Sequence, residues 1–247
     1  MQKYFISDAN FDDRLITGDD AFHIKNVMRN KIGDKILVSC QSQTYLAQIF
    51  KIAEGKIAFE IIEKVIGNHE LPVFISIYQG YPKGDKLEDI IKHGTELGAS
   101  EFIPIIMKRS LFKLDPKKKE SKLVRFNKIA KEAAEQSYRD IVPVVKDIIE
   151  LNKVDFSSYN YKILCYEEAS KNNELVNFKN TITKLKPNDR VAIVIGPEGG
   201  VDPLEAEYLQ KNGFILCSLG SRILRTETVV FYCLSAIGYE LELTCTK

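Results

Sequence analysis

At 247 residues, with 45% hydrophobic and 28% charged side chains, the chain has the composition of an ordinary globular protein with a sizeable core. Its opening stretch, MQKYFISDANFDDRL, has no basic region followed by an apolar run, and its longest apolar stretch, 229–239, falls well short of the ~20 residues of a membrane helix, so neither a signal peptide nor a membrane span is expected. Five scattered cysteines (Cys40, Cys165, Cys217, Cys233, Cys245) without C-x-x-C spacing, and three isolated histidines (His23, His69, His93), favour a reduced cytoplasm over a disulfide framework and give no metal pattern.

Net charge is +1, but residues 108–132 hold ten Lys/Arg against Asp115, Glu120 and Glu132. That leaves +7 in one segment and −6 in the rest, either a face for a polyanion or a solvated lysine-rich loop and helix.

Residues 1–70 are rich in short β runs: KYFIS, KILVS (35–39), YLAQIFK (45–51) and KIAFEIIEKV (56–65). Turn signals fall at Gly33-Asp34 and Glu54-Gly55, and one helix is expected over 19–28. Closely spaced short strands suggest a small barrel, and GNHELP (67–72) marks its end.

From residue 73 the pattern changes to strand–helix alternation. Strands are expected at 73–79, 102–106, 161–166, 191–195 and 214–218, and helices at 85–98, 120–138, about 173–184, 202–212 and 226–242. In the second helix Phe126, Ile129, Ala130, Ala133, Ala134 and Ser137 form one stripe. Near-continuous apolar strands between helices predict a parallel sheet covered on both faces, hence an α/β domain over 71–247.

Ligands of open α/β sheets bind beyond the carboxyl ends of the strands. Two loops leave such ends with unusual composition: IGPEGGVDP (195–203) and LGSRILRTETVV (219–230). In the first, Gly196, Gly199 and Gly200 permit close backbone approach, but the loop fits no phosphate-binding pattern and Glu198 would repel an anion. A neutral or cationic ligand suits it; so does a plain tight turn, with Asp202 capping and Pro203 opening a helix. In the second, Gly220 permits close approach, Thr226 can cap the final helix, and Glu227 complements its dipole. Arg225 opposes that dipole, so a ligand or acidic partner is its better use, and Arg222 has no assigned role.

IGPEGG followed by LGSRILRTETVV resembles the signature of the RsmE family of SPOUT-class RNA methyltransferases. FHIKNVMRNKIGD (22–34), DKLEDIIKHGTELGAS (85–100), MKRS (107–110) and AAEQSYRDIVP (133–143) agree with it, in order along nearly the whole chain. The resemblance implies a PUA-like RNA-binding β-barrel (1–70), a SPOUT domain with a deep trefoil knot (71–247) and a homodimer. It also implies S-adenosylmethionine as methyl donor and methylation of uridine N3 in small-subunit (16S) ribosomal RNA, free or in the assembled subunit. A sulfonium cation without phosphate suits a glycine loop with a glutamate and no lysine.

On that resemblance the cofactor-binding residues are Ile195, Gly196, Pro197, Gly199, Gly200, Leu219, Gly220, Leu224 and Thr226. Arg225 stabilises charge developing on the uracil, and Glu198, Glu227 or water takes the N3 proton. Lys3, His23, Arg29, Lys86, Arg109 and Arg139 are carried over as RNA contacts. Lys3 stands where family members often have an arginine, which removes a bidentate fork. The final helix is also bulkier after TET than the family pattern. Two rivals remain: a non-catalytic RNA-binding assembly factor, and a SPOUT methyltransferase acting on another RNA or atom.

Overall fold

The computed structural model describes residues 1–67, 69–110, 116–171 and 175–244. Lys113, Asp115 and Cys245 therefore lie outside the described residues, as does the start of the helix expected from about 173. The chain divides into two compact units, Met1–Glu70 with Ala134–Ile141, and Leu71–Ala133 with Val142–Lys247.

The first unit carries β1 (Lys3–Phe5), α1 (Asp8–Asp12), β2 (Leu15–Thr17), α2 (Gly18–Phe22), β3 (Lys35–Cys40), β4 (Gln43–Ala53) and β5 (Lys56–Lys64). Its five-stranded sheet runs β1-β3-β4-β5-β2, with β1 parallel to β3 and the other pairs antiparallel. The helix expected over 19–28 is present as α2 continued by a wider π turn, His23–Val27. Two-residue turns close both hairpins. Gly55 takes φ +66° at the expected Glu54-Gly55 turn. At the other, Gln41 and Ser42 take φ +49° and +59° without glycine, so no sequence signal marked it. Tyr4, Ile24, Ile36, Ile49, Ile57 and Phe59 fill the core.

Ala134–Ile141 joins this unit through polar contacts made over long sequence separations. Glu135 accepts from the Phe5 N–H at 3.1 Å, and Asp140 from Lys3 Nζ at 3.0 Å and Thr44 Oγ1 at 2.9 Å. Hydrophobic periodicity carries no trace of such pairings, so the boundary expected at residue 70 alone misses this segment.

The second unit holds β6 (Phe74–Gly80), α3 (Lys86–Glu96), β7 (Glu101–Ile106), α4 (Pro116–Gln136) as far as Ala133, β8 (Val144–Val145), β9 (Ile149–Glu150), β10 (Tyr161–Cys165), α5 (Glu168–Lys171), α6 (Asn177–Ile182), β11 (Arg190–Ile195), α7 (Pro203–Lys211), β12 (Ile215–Cys217) and α8 (Thr226–Gly238). The sheet runs β12-β10-β11-β6-β7-β8, with β9 also on β7, and every pairing is parallel. Alternate residues serve opposite faces. Ile75, Ile77, Val191 and Ile193 pack with Leu87, Ile90, Val230 and Leu234, while Tyr78, Ala192 and Val194 pack with Ala206 and Leu209. Both faces are covered, as uninterrupted apolar strands require. Within the stripe expected on α4, Phe126, Ala130, Ala133 and Ala134 are buried.

The order of strands sets where a ligand can approach. From β6 the chain proceeds to β7 on one side, whereas β11 pairs with β6 on the other. The carboxyl ends of β6 and β11 therefore flank a point where the connections diverge, the usual place for a crevice in such sheets.

Candidate active site

The loop after β11 and the loop between β12 and α8 meet through one side chain. Thr226 Oγ1 donates to the Gly196 carbonyl at 2.7 Å and lies 2.8 Å from Nε2 of Gln79, at the end of β6. This corrects the expected cap. Arg225 occupies the N-cap position without a side-chain cap bond, and Thr226 is the first residue of α8, buried and turned toward the neighbouring loop. The other helix start is as expected: Asp202 accepts from the Leu204 N–H at 3.1 Å and Pro203 opens α7.

Glycine is needed where these segments touch. A Cβ on Gly80 would sit 2.6 Å from Pro197, and one on Gly196 would sit 2.9 Å from Gly200 and Val201. Gly200 and Gly220 take φ +71° and +107°, a region costly for other residues. Ser218, buried, accepts from the Gly220 N–H at 3.2 Å and braces the second loop. Ile195 is buried in the core, which leaves only its backbone available at the strand end. Leu219 and Leu224 are half-buried beside the loops.

The two candidate carboxylates share one cation. Lys86 Nζ lies 3.0 Å from Glu198 Oε1 and 3.6 Å from Glu227 Oε2, and the Lys83 N–H also donates to Glu198 at 3.0 Å. Burial alone pushes the Glu198 carboxyl up, but its own N–H, Lys86 and the Lys83 N–H outweigh it and hold the group below its ordinary value. Bonding to Glu198 in turn raises the Lys86 ammonium. Glu227 Oε2 is buried and has no hydrogen bond among the described residues. Arg225 is exposed at the mouth of the second loop, and its side chain makes no cap bond and no other hydrogen bond or ion pair among the described residues. Arg222 is exposed too, and nothing in the structure explains it.

The expected RNA contacts separate into three groups. Lys3 and Arg139 are buried, Lys3 against Asp140 and Arg139 in an ion pair with Glu70, so neither presents its cation to solvent. Each is held by an acid remote in sequence, which motif matching could not reveal. Lys86 and Arg109 lie at the candidate site, with Arg109 NH1 donating to the Gly199 carbonyl at 3.1 Å and Nε 3.8 Å from Asp202. Arg29 is exposed, and His23 pairs with the Tyr4 hydroxyl at 3.0 Å. The basic segment is less bare than its count suggests: Lys108 meets Asp202 at 3.1 Å, Lys119 meets Asp147 at 3.4 Å and Arg125 meets Glu88 at 2.7 Å.

Sequence reading missed Gln79 and Gly80. The signal was present, since a Gln-Gly pair ends a largely apolar strand at its carboxyl edge, and the structure buries Gln79 fully. Among the described residues no group of acidic, histidine or cysteine side chains could hold a metal ion, and no helix is long and apolar enough to cross a membrane.

Comparison with known proteins places the chain among RNA methyltransferases. A family model described as an RNA methyltransferase domain matches residues 69–238, and one described as an RNA methyltransferase PUA domain matches residues 16–62. Ribosomal RNA small subunit methyltransferase E of Bacillus subtilis (strain 168) is 42% identical, with 98% of each chain covered. A crystal structure of a protein described as hypothetical superposes with a TM-score of 0.89 at 40% identity, covering 99% of this chain and 100% of the other. A Legionella pneumophila methyltransferase solved with the cofactor SAM bound superposes with a TM-score of 0.81 at 25% identity, covering 91% and 90%.

Proposed function

The chain belongs to the family of ribosomal RNA small subunit methyltransferases E, and we propose that it methylates N3 of a specific uridine in 16S ribosomal RNA. It is an S-adenosylmethionine-dependent enzyme. The observation that carries the site assignment is the Thr226 bond to Gly196, which joins the two glycine loops directly beside the exposed Arg225.

The residues present fit the cofactor. Glu198, held ionised, suits a sulfonium, and no lysine in the glycine loop asks for a phosphate. Gly196, Gly199, Gly200 and Gly220 offer backbone, and Leu219 and Leu224 offer apolar surface for a base. Pro197 and Ile195 fix the loop against the sheet. When bound, S-adenosylmethionine supplies a methyl group activated by its sulfonium.

This chain's own residues then orient the uracil and manage its charge. Loss of the N3 proton spreads negative charge over O2 and O4, and the Arg225 guanidinium stabilises it there. The proton passes to Glu198, Glu227 or water. A target base must be unpaired or flipped to reach the site. Arg29, Arg109 and His23 are the proposed RNA contacts, the first unit serving RNA binding and the second methyl transfer.

The reading extends to a PUA-like barrel, a deep trefoil knot and a cytoplasmic homodimer. Tyr232, Tyr239 and Leu243, exposed on and after α8, supply apolar surface for the dimer.

The test is to incubate the protein with labelled S-adenosylmethionine and small-subunit RNA or subunits from cells lacking it, then digest to nucleosides. Label should run with 3-methyluridine. Label in any other nucleoside, or none, refutes the proposal.

A further inference from the structure

The two loops are held by a residue belonging to neither. Gln79 lies on β6, fully buried, in line with Ile75 and Ile77 on its face of the sheet. Its Nε2 stands 2.8 Å from Thr226 Oγ1, 2.9 Å from the Gly80 carbonyl and 3.4 Å from the Gly196 carbonyl.

We infer that Gln79 is a positioning residue for methyl transfer: its amide fixes the spacing between the two loops that grip the cofactor. This rests on the assignment of those loops to S-adenosylmethionine. The direction of each bond is determined. Thr226 has one hydroxyl proton and gives it to Gly196, so it accepts from Gln79. A flipped amide would set Oε1 against the carbonyl oxygens of Gly80 and Gly196, so that orientation is excluded. The arrangement leaves Oε1 buried with no hydrogen bond among the described residues. A side chain chosen for packing alone would not leave an acceptor unfilled, since an apolar side chain avoids that cost. The amide is retained for what its nitrogen joins: the end of β6, the glycine loop after β11 and the first residue of α8.

Gly80 completes the device. With no Cβ there, Pro197 packs against the strand end, so the glycine loop rests on β6 while the Gln79 amide sets its distance from α8. Loop spacing passes to the ligand because both loops touch it, whereas Gln79 itself acts only through them.

The experiment is calorimetric titration of S-adenosylmethionine into the full-length wild type, Gln79→Leu, Thr226→Val, the double variant, Thr226→Ser and Gln79→Glu, each first checked for folding. Gln79→Leu and Thr226→Val should each weaken binding roughly tenfold, the factor expected for one buried hydrogen bond. The double variant should be no weaker than about either single, because both break one chain of bonds. Thr226→Ser keeps the hydroxyl and should recover most of the affinity lost in Thr226→Val. Gln79→Glu supplies a donor only when protonated, so its deficit relative to wild type should shrink as pH is lowered. If Gln79→Leu fails to fold, the nearly isosteric Thr226→Val and Gln79→Glu carry the comparison. Wild-type affinity in folded Gln79→Leu and Thr226→Val, or single losses that simply multiply in the double, overturns the inference alone. A wild-type protein that does not bind S-adenosylmethionine overturns the cofactor assignment and this inference with it.

Discussion

Lys86 Nζ stands 3.0 Å from Oε1 of Glu198 and ties the start of α3 to the glycine loop after β11. The pair is partly exposed, at 35% for Lys86 and 29% for Glu198, so its direct contribution to stability is small, about 0–1 kcal/mol. Its larger effect is on protonation. Lys86 is one of the groups that outweigh burial and keep the Glu198 carboxyl below its ordinary value. In Lys86→Met that carboxyl should titrate at higher pH. Cofactor affinity that needs an ionised carboxylate is present above the carboxyl pKa and lost as pH falls through it. The acidic limb of binding should therefore move to higher pH in the variant, while the salt dependence of RNA binding stays as in wild type. Superimposable acidic limbs would sink this account, and a shallower salt dependence would return Lys86 to the RNA contacts.

Arg225 has no partner to lose among the described residues. Its side chain is exposed and makes no cap bond, so Arg225→Ala should leave the unfolding transition and cofactor affinity unchanged. Turnover should fall by roughly 10²–10³, the range for removing one donor to a developing oxyanion. Single-turnover methylation beside calorimetric binding separates the two effects. A rate near wild type would make Arg225 a bystander.

The strands of the second unit were legible because buried parallel strands are unbroken apolar runs, and the two loops because glycine and charge interrupt those runs at their carboxyl ends. What could not be read is what depends on partners remote in sequence. Thr226 reads as a cap because its local sequence is that of a cap, yet Gly196 and Gln79 claim its hydroxyl. Lys3 and Arg139 are carried over from the family resemblance as RNA contacts, yet Asp140 and Glu70 draw them inside. The charge asymmetry of 108–132 is real along the chain but is partly cancelled in space by Glu88, Asp147 and Asp202.

Arg139 and Glu70 should matter for folding and not for substrate. The Arg139 side chain is 3% exposed, and Glu70 also accepts from the Asp140 and Ile141 N–H groups at 2.9 and 3.1 Å. Removing one partner of a buried pair leaves the other uncompensated, at a cost of about 3–5 kcal/mol. Because Glu70 keeps two backbone donors and some exposure, Arg139→Leu should fall at the lower end, about 3 kcal/mol, in denaturant unfolding of the first unit. RNA affinity of the folded fraction should be unchanged. A stable Arg139→Leu protein with weakened RNA binding would reverse this assignment.

Asp140 gives the first unit a pH dependence with a definite sign. Burial pushes its carboxyl up, but Lys3, the His69 N–H and Thr44 together hold it below the ordinary carboxylate range. Its folded pKa is thus lower than its unfolded one, near 3.9. The stabilisation is complete above the unfolded value and is lost as pH falls through the folded one. Asp140→Asn removes this term, so wild type should be the more stable protein at neutral pH. The gap should close below the folded pKa, where Asp140 is protonated and resembles the amide. Denaturant unfolding of both proteins from neutral to acid pH measures the difference directly. A gap that stays constant with pH would mean that Asp140 acts through neutral hydrogen bonds, such as that from Thr44, and not through its charge beside Lys3.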